Sequence, residues 1–97
     1  MREREKLLAQ HEELKNLNPT QDGFKEKLIS HFEEEERFFE RHAERLGGND
    51  ELSPIGMAKK EHKLLLEYLE RGEYKLFKEL FKYHLTKEET QIYTLLG

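Results

Sequence analysis

The sequence predicts an all-α fold: a single domain over residues 1–97, built as an antiparallel, up-down-up-down four-helix bundle. Three observations predict it. Apolar residues recur at steps of three and four along four segments, which is the spacing of one inward helix face. Turn-forming residues interrupt that spacing at three places. Two prolines and six glycines are too few for a loop-rich chain, and the remainder, rich in Lys, Glu and Leu, favours helix. A chain of 97 residues suits one domain and buries roughly two-thirds of the surface its unfolded form exposes. Hydrophobic residues make up 35% and charged residues 39%. That balance approaches the disordered regime, so the few apolar side chains must be placed economically.

The first break is Asn18-Pro19-Thr20-Gln21-Asp22-Gly23, the second runs from Gly47 through Asn49 to Pro54, and the third is Gly72. They delimit helices over about 3–17, 23–46, 54–71 and 73–95. Asp22 is placed to cap the second helix, and Ser53-Pro54 reads as N-cap and first helical residue of the third. Short connections make sequence neighbours antiparallel.

The inward rows carry more than apolar residues. The first helix presents Leu7, His11 and Leu14, with Leu8 and Leu17 beside them. The second presents Phe24, Leu28, His31, Glu35, Phe38, His42 and Leu46; the third, Ile55, Ala58, His62, Leu65 and Leu69. The fourth presents Phe77, Leu80, His84, Glu88, Ile92 and Leu95. Most other acidic residues, such as Glu33, Glu34 and Glu36, fall off these rows and read as solvated.

A carboxylate in a bundle core costs several kcal/mol unless it is paired or coordinates a cation. No lysine or arginine lies in the inward rows, but each helix offers an imidazole. His31 and Glu35, like His84 and Glu88, stand at i, i+4, which sets their Cβ atoms about 5–6 Å apart on one face. His11 lies seven residues before the turn at Asn18, His31 eight after Gly23, and His62 eight into the third helix. At about 1.5 Å per residue these positions fall within about two turns of one level. A lone histidine in such a row is most simply a hydrogen-bonded core residue. Four of them, one per helix and level with two glutamates, favour a metal site made of His11, His31, Glu35, His62, His84 and Glu88. Imidazole with carboxylate and no sulfur favours iron, manganese or zinc. Six ligands, two able to bridge, suit a pair of ions better than one. With a solvent-derived bridge, each ion has two histidines and an open position.

Other metal motifs fail. Ferritin-type bundles place Glu three residues before His, where this chain has Leu8, Leu28, Lys59 and Phe81. The zinc-protease helix needs His-Glu-x-x-His, but His11-Glu12 leads to Lys15. There is no cysteine, which excludes disulfides and thiolate chemistry. The net charge of −4, without a basic block, argues against nucleic acid or an anionic membrane as partner. No apolar run approaches the ~20 residues of a membrane span. The start, Met1-Arg2-Glu3-Arg4, lacks a secretory signal, so a cytoplasmic location is expected.

The ordered set of His11 in LAQHEEL, His31-x-x-x-Glu35 in HFEEEE, His62 in MAKKEHKLL and His84-x-x-x-Glu88 in HLTKEETQIY resembles the hemerythrin-like, or HHE cation-binding, domain family. The resemblance covers nearly the whole chain. It implies a four-helix bundle holding two iron ions, Fe2+ or Fe3+, with an oxo or hydroxo bridge. It also implies binding of or reaction with O2, NO or peroxide, in oxygen binding, sensing, redox chemistry or repair of iron–sulfur centres. Oxygen carriers of the family have a further histidine four residues before the third-helix ligand and an aspartate on the fourth helix. Here Ala58 and Glu88 stand there, a pattern similar to the iron–sulfur repair branch. On that pattern the two ions have two histidines each and similar vacancies. A reduced centre is then expected to be oxidised by O2 and not to hold it reversibly.

His42 lies seven residues beyond Glu35, ~10 Å further along the axis, and reads as a residue that either backs the ligands from outside or closes the end of the bundle. Phe32, Phe38, Phe39 and Phe81 read as core packing that can also form a dry wall around a metal site. Tyr83 and Tyr93 read as partly buried, each able to donate to a bound ligand. A non-catalytic bundle cross-linked by a structural metal, and an iron-handling or iron-donating protein, are the alternative functions.

Overall fold

The computed structural model describes residues 3–48 and 50–96. Four helices account for most of them: α1 (Glu3–Asn16), α2 (Phe24–Arg41), α3 (Pro54–Glu70) and α4 (Tyr74–Glu88). A 3-10 turn (Ala43–Leu46) follows α2 and a π-helical turn (Glu89–Tyr93) follows α4. Asn49 of the second break and the first two residues of the N-terminal segment lie outside the described residues.

Cross-helix pairs give the directions. Glu3, at the start of α1, pairs with Arg41 at the end of α2, while Lys27 near the start of α2 lies 3.4 Å from Glu13 near the end of α1. Lys25 meets Glu70 at 3.0 Å and Lys59 meets Glu40 at 2.6 Å, so α2 and α3 also run antiparallel. Arg4 Nε donates to the Tyr93 carbonyl at 3.0 Å, joining the start of α1 to the turn after α4. Exposed pairs of this kind stabilise little; here they report orientation.

The start of α3 follows its local chemistry. Ser53 Oγ accepts from the Gly56 N–H at 3.2 Å and donates to the Asp50 carbonyl at 2.6 Å, with Pro54 in the first turn. That folds the loop back onto α3 so closely that a Cβ on Gly56 would sit 2.1 Å from the Asp50 carbonyl oxygen. Only glycine fits.

Other boundaries differ from the pattern. Asp22 does not cap α2: Gly23 takes the N-cap position at φ 85°, a left-handed conformation that glycine adopts without strain, and no side chain caps that end. The second helix does not run unbroken to residue 46. It stops at Arg41, and the tighter 3-10 turn brings Leu46 round to the core. The fourth leaves α geometry after Glu88. A π turn inserts one residue, which advances the inward row from 92 and 95 to 92, 93 and 96. Ile92, Tyr93 and Leu96 are therefore buried, and Leu95 is 53% exposed. Leu80 packs only at the rim, with Phe81 and Leu85 buried in its place.

The apolar core is split in two. One cluster contains Leu7, Phe38, Phe39, Leu46, Ile55, Ala58, Ile92, Tyr93 and Leu96. The other contains Leu14, Phe24, Leu28, Phe32, Leu65, Leu69, Phe77, Phe81 and Leu85. Four histidines and two glutamates, all buried, lie at the levels between. Among the described residues no helix is long and apolar enough to cross a membrane.

Candidate metal centre

The six residues singled out in the sequence come together. His11, His31, Glu35, His62, His84 and Glu88 are each 2% exposed or less. Glu35 Oε2 lies 2.9 Å from His11 Nε2 and 3.4 Å from His31 Nε2, and its Oε1 lies 3.1 Å from His62 Nε2. Glu88 mirrors it. Its Oε2 lies 3.0 Å from His84 Nε2 and 3.2 Å from His62 Nε2, and its Oε1 lies 3.4 Å from His11 Nε2. Two histidine pairs result, His11 with His31 and His62 with His84. Each has its rings 4.8 Å apart and nearly perpendicular, at 71° and 73°. Each carboxylate spans both pairs.

The outer ring nitrogens explain why all four Nε2 atoms face inward. His31 Nδ1 donates to Gln10 Oε1 at 2.6 Å, and His62 Nδ1 to Glu36 Oε2 at 2.7 Å. His84 Nδ1 donates to Glu61 Oε1 at 2.7 Å, and His11 Nδ1 to Glu89 Oε2 at 2.9 Å. The four bonds form a ring. A residue on α1 holds the histidine of α2, α2 that of α3, α3 that of α4, and the turn after α4 that of α1. A neutral imidazole has one N–H. Once Nδ1 carries it, Nε2 points a lone pair at carboxylate oxygens.

Lone pairs facing lone pairs require positive charge between them. Four buried atoms, His31 Nε2, Glu35 Oε1, His84 Nε2 and Glu88 Oε1, have no hydrogen-bond partner. In the metal-free chain only protons can supply the charge. Burial lowers the pKa of His11, His62 and His84, but neighbouring carboxylates outweigh it and the net shift is upward. Burial raises that of Glu35, and the facing imidazoles of His11, His31 and His62 outweigh it, holding the carboxyl well below the usual range. A metal ion meets the same demand. Ligand atoms about 2.1 Å from an ion stand about 3.0 Å apart at right angles and about 3.4 Å apart at the tetrahedral angle. The nitrogen–oxygen separations of 2.9–3.4 Å match those polyhedron edges. Two groups can each hold an ion, Glu35 with His62, His84 and Glu88, and His11 with His31 and Glu35.

The surroundings close the site. Phe32 stacks on the His62 ring at 3.9 Å and 8°, facing His31 and His84 at 5.9 and 6.2 Å. On the other side Tyr93, fully buried, sets its ring 5.5 Å from His11 and donates its hydroxyl to Glu35 Oε2 at 2.6 Å. Burial and the charges of Glu35 and Glu88 push that phenol far above its ordinary pKa, so it stays a donor. Tyr83 takes no such part. It is 59% exposed, with the Lys87 ammonium over its ring. His42 lies outside the cluster, edge-on to Phe38 at 4.9 Å.

Sequence reasoning passed over Gln10, Glu61 and Glu89 and read Glu36 as solvated. Glu36 is instead half-buried and bound to His62. Each of the four is adjacent in sequence to one of the six central residues, the one signal that could have found it. Comparisons with known protein families, with curated proteins and with solved structures give no match.

Proposed function

We propose that this chain is a two-metal protein, with iron as the ion, and that it binds or reacts with a small ligand such as O2, NO or peroxide, as the resemblance to hemerythrin-like domains implies. The observation that carries this reading is the ring of four Nδ1–H bonds around two carboxylates that each span both histidine pairs. Metal-ligating histidines are typically oriented by such outer hydrogen bonds, and a core without a metal has no need of four. Each ion would take two imidazoles and two carboxylate oxygens. Four protein ligands leave room around an iron for a solvent bridge and one small ligand. Iron bound there supplies one-electron redox chemistry and an acidic site for that ligand. The chain's part is to orient the ligands, exclude bulk water through Phe32 and Tyr93, and hold the outer protons.

A cleft of about 80 Å³, lined by Met57, Ala58, Lys87, Glu88, Gln91 and Ile92 among others, reaches Glu88 from the surface. It has room for a diatomic or peroxide. The complete burial of the six residues favours a second reading, in which the ions only cross-link helices.

Two measurements test the proposal. Elemental analysis of protein purified without a chelating tag, and of metal-free protein reconstituted anaerobically with Fe2+, is expected to give two iron ions per chain. Addition of NO or azide is expected to change the absorption spectrum, which a purely structural centre would not do. A single tightly held zinc with no iron uptake would overturn the two-iron reading. Stopped-flow mixing of the reduced protein with O2 is expected to show rapid oxidation. Oxygen recoverable under vacuum over repeated cycles would mean a carrier instead.

A further inference from the structure

We infer that the two halves of the centre are unequal: the ion between His62 and His84 is bound first and most tightly, and the one between His11 and His31 is the exchangeable ion. This rests on the two-metal reading and deepens it. The number of histidines is the same in both halves, so the imidazoles alone do not separate them. Their backing does.

Three observations point the same way. The first is the ring of outer acceptors. Both histidines of the α3–α4 half donate to carboxylates, His62 to Glu36 and His84 to Glu61. In the α1–α2 half only His11 does, and His31 donates to the neutral amide oxygen of Gln10. A negative acceptor on Nδ1–H raises the electron density at Nε2 and makes the imidazole a stronger ligand; an amide does so less. Glu61 shares its charge with Lys87, but it remains an anion where Gln10 is not.

The second is Tyr93. Its hydroxyl donates to Glu35 Oε2, the oxygen nearest His11 and His31. An oxygen that accepts a strong hydrogen bond has less density for a metal. Among the described residues no hydroxyl or amide donates to Glu88 or to Glu35 Oε1, the oxygens nearest His62. The third is geometric. Four residues, Glu35, His62, His84 and Glu88, offer atoms within 4.8 Å of one another, against three, His11, His31 and Glu35, in the other half. Glu88 reaches the α1–α2 half only through His11, at 3.4 Å, so the α3–α4 half has its four donors gathered, while the α1–α2 half has one donor outlying and one weakened.

The ion of the α1–α2 half is therefore the more electron-poor, the last to enter and the first to leave. It is also the one from which iron could be released.

The test uses the full chain, freed of metal and labelled with 15N in its histidines, and zinc alone as the probe. Up to one equivalent, the NMR signals of His62 and His84 are expected to reach their metal-bound positions, with those of His11 and His31 following between one and two. Outer-shell partners change affinity about 10–100-fold, so the two stepwise dissociation constants should differ by about that factor. Gln10→Glu and Tyr93→Phe should each lower the second constant and narrow the gap, while leaving the first in place. The reverse order, or four histidines moving together towards two equivalents, overturns the inference and leaves the two-metal reading standing. Saturation at one equivalent overturns both. Should either variant fail to fold, the filling order of the unaltered chain decides alone.

Discussion

Removing the metal should loosen α1 before any other helix. α1 buries only Leu7, His11 and Leu14, whereas α2 buries Phe24, Leu28, Phe32, Phe38 and Phe39 besides His31 and Glu35. A fully buried leucine contributes about 1.5–3 kcal/mol, so the two on α1 hold it by about 3–6 kcal/mol at most. Exposed ion pairs add little, and its link to the centre passes through Gln10, which accepts from His31, and through His11, which touches Glu35, Glu88 and Glu89. Without ions, that histidine needs a proton on both nitrogens to serve carboxylates on both sides, and two carboxylates remain buried beside it. Moving α1 outward admits water at the smallest loss of apolar burial. A ligand at a thousandfold its Kd contributes about 4 kcal/mol, the same size as the leucine contribution. Hydrogen–deuterium exchange of loaded and chelated protein measures it. Protection of the α1 amides is expected to fall by up to about a thousandfold on chelation, and that of α3 by much less. At about 4–8 °C per kcal/mol for a domain of this size, the melting temperature should drop by about 16 °C or more. Equal loss of protection in α1 and α3, or none in α1, would refute the reasoning.

Glu35→Ala and Glu88→Ala each delete a carboxylate that spans both halves, so metal content should fall to one ion or none; two ions retained in both variants would place the bridge elsewhere. Gly56→Ala puts a Cβ 2.1 Å from the Asp50 carbonyl oxygen and 2.8 Å from Glu51 Cα, which should cost about 1–3 kcal/mol in urea unfolding with metal content intact. An unchanged midpoint would mean that the loop does not fold back on α3. In the metal-free protein, burial lowers the His62 pKa but Glu35, Glu36 and Glu88 raise it well above the ordinary 6.5. Its stabilisation is complete below that value and fades as pH rises through the folded-state pKa. Metal binding needs the imidazoles deprotonated, so the loaded protein should gain stability over the same range. Melting temperatures measured above pH 6.5 should fall with pH for the first form and rise for the second; parallel slopes would contradict the account.

Much of the fold was legible because its signals are local. Ser53 and Pro54 announce α3 through one side-chain oxygen and one fixed φ, and both act as their chemistry requires. The errors fall where a local signal met a competitor, or where the helical period changed. Asp22 had the right chemistry for a cap, but Gly23 next to it could go left-handed and took the position. Leu95 points inward only on the assumption that one period holds from Phe77 onward. The π turn breaks that assumption within five residues. Its effect is to carry Tyr93 to Glu35, which a regular helix would not do.

The six central residues were legible because they lie on the inward rows together, one histidine per helix and two glutamates at the same level. Their outer partners were not, because one residue along a helix is a rotation of about 100°. That places the partner at the boundary with a neighbouring helix, where a glutamate looks like ordinary surface. The partners nevertheless obey a rule. On α1 and α3 the partner precedes the histidine, as Gln10-His11 and Glu61-His62; on α2 and at the end of α4 it follows the glutamate, as Glu35-Glu36 and Glu88-Glu89. Viewed from one end of the bundle, successive residues turn one way on a helix running up and the other way on a helix running down. The preceding residue on the first kind and the following residue on the second therefore point round the bundle in the same sense. Alternation of before and after is what a closed ring of bonds on four antiparallel helices demands. The ring has three carboxylates and one amide, and the exception, Gln10, is the position at which the two halves of the centre can differ.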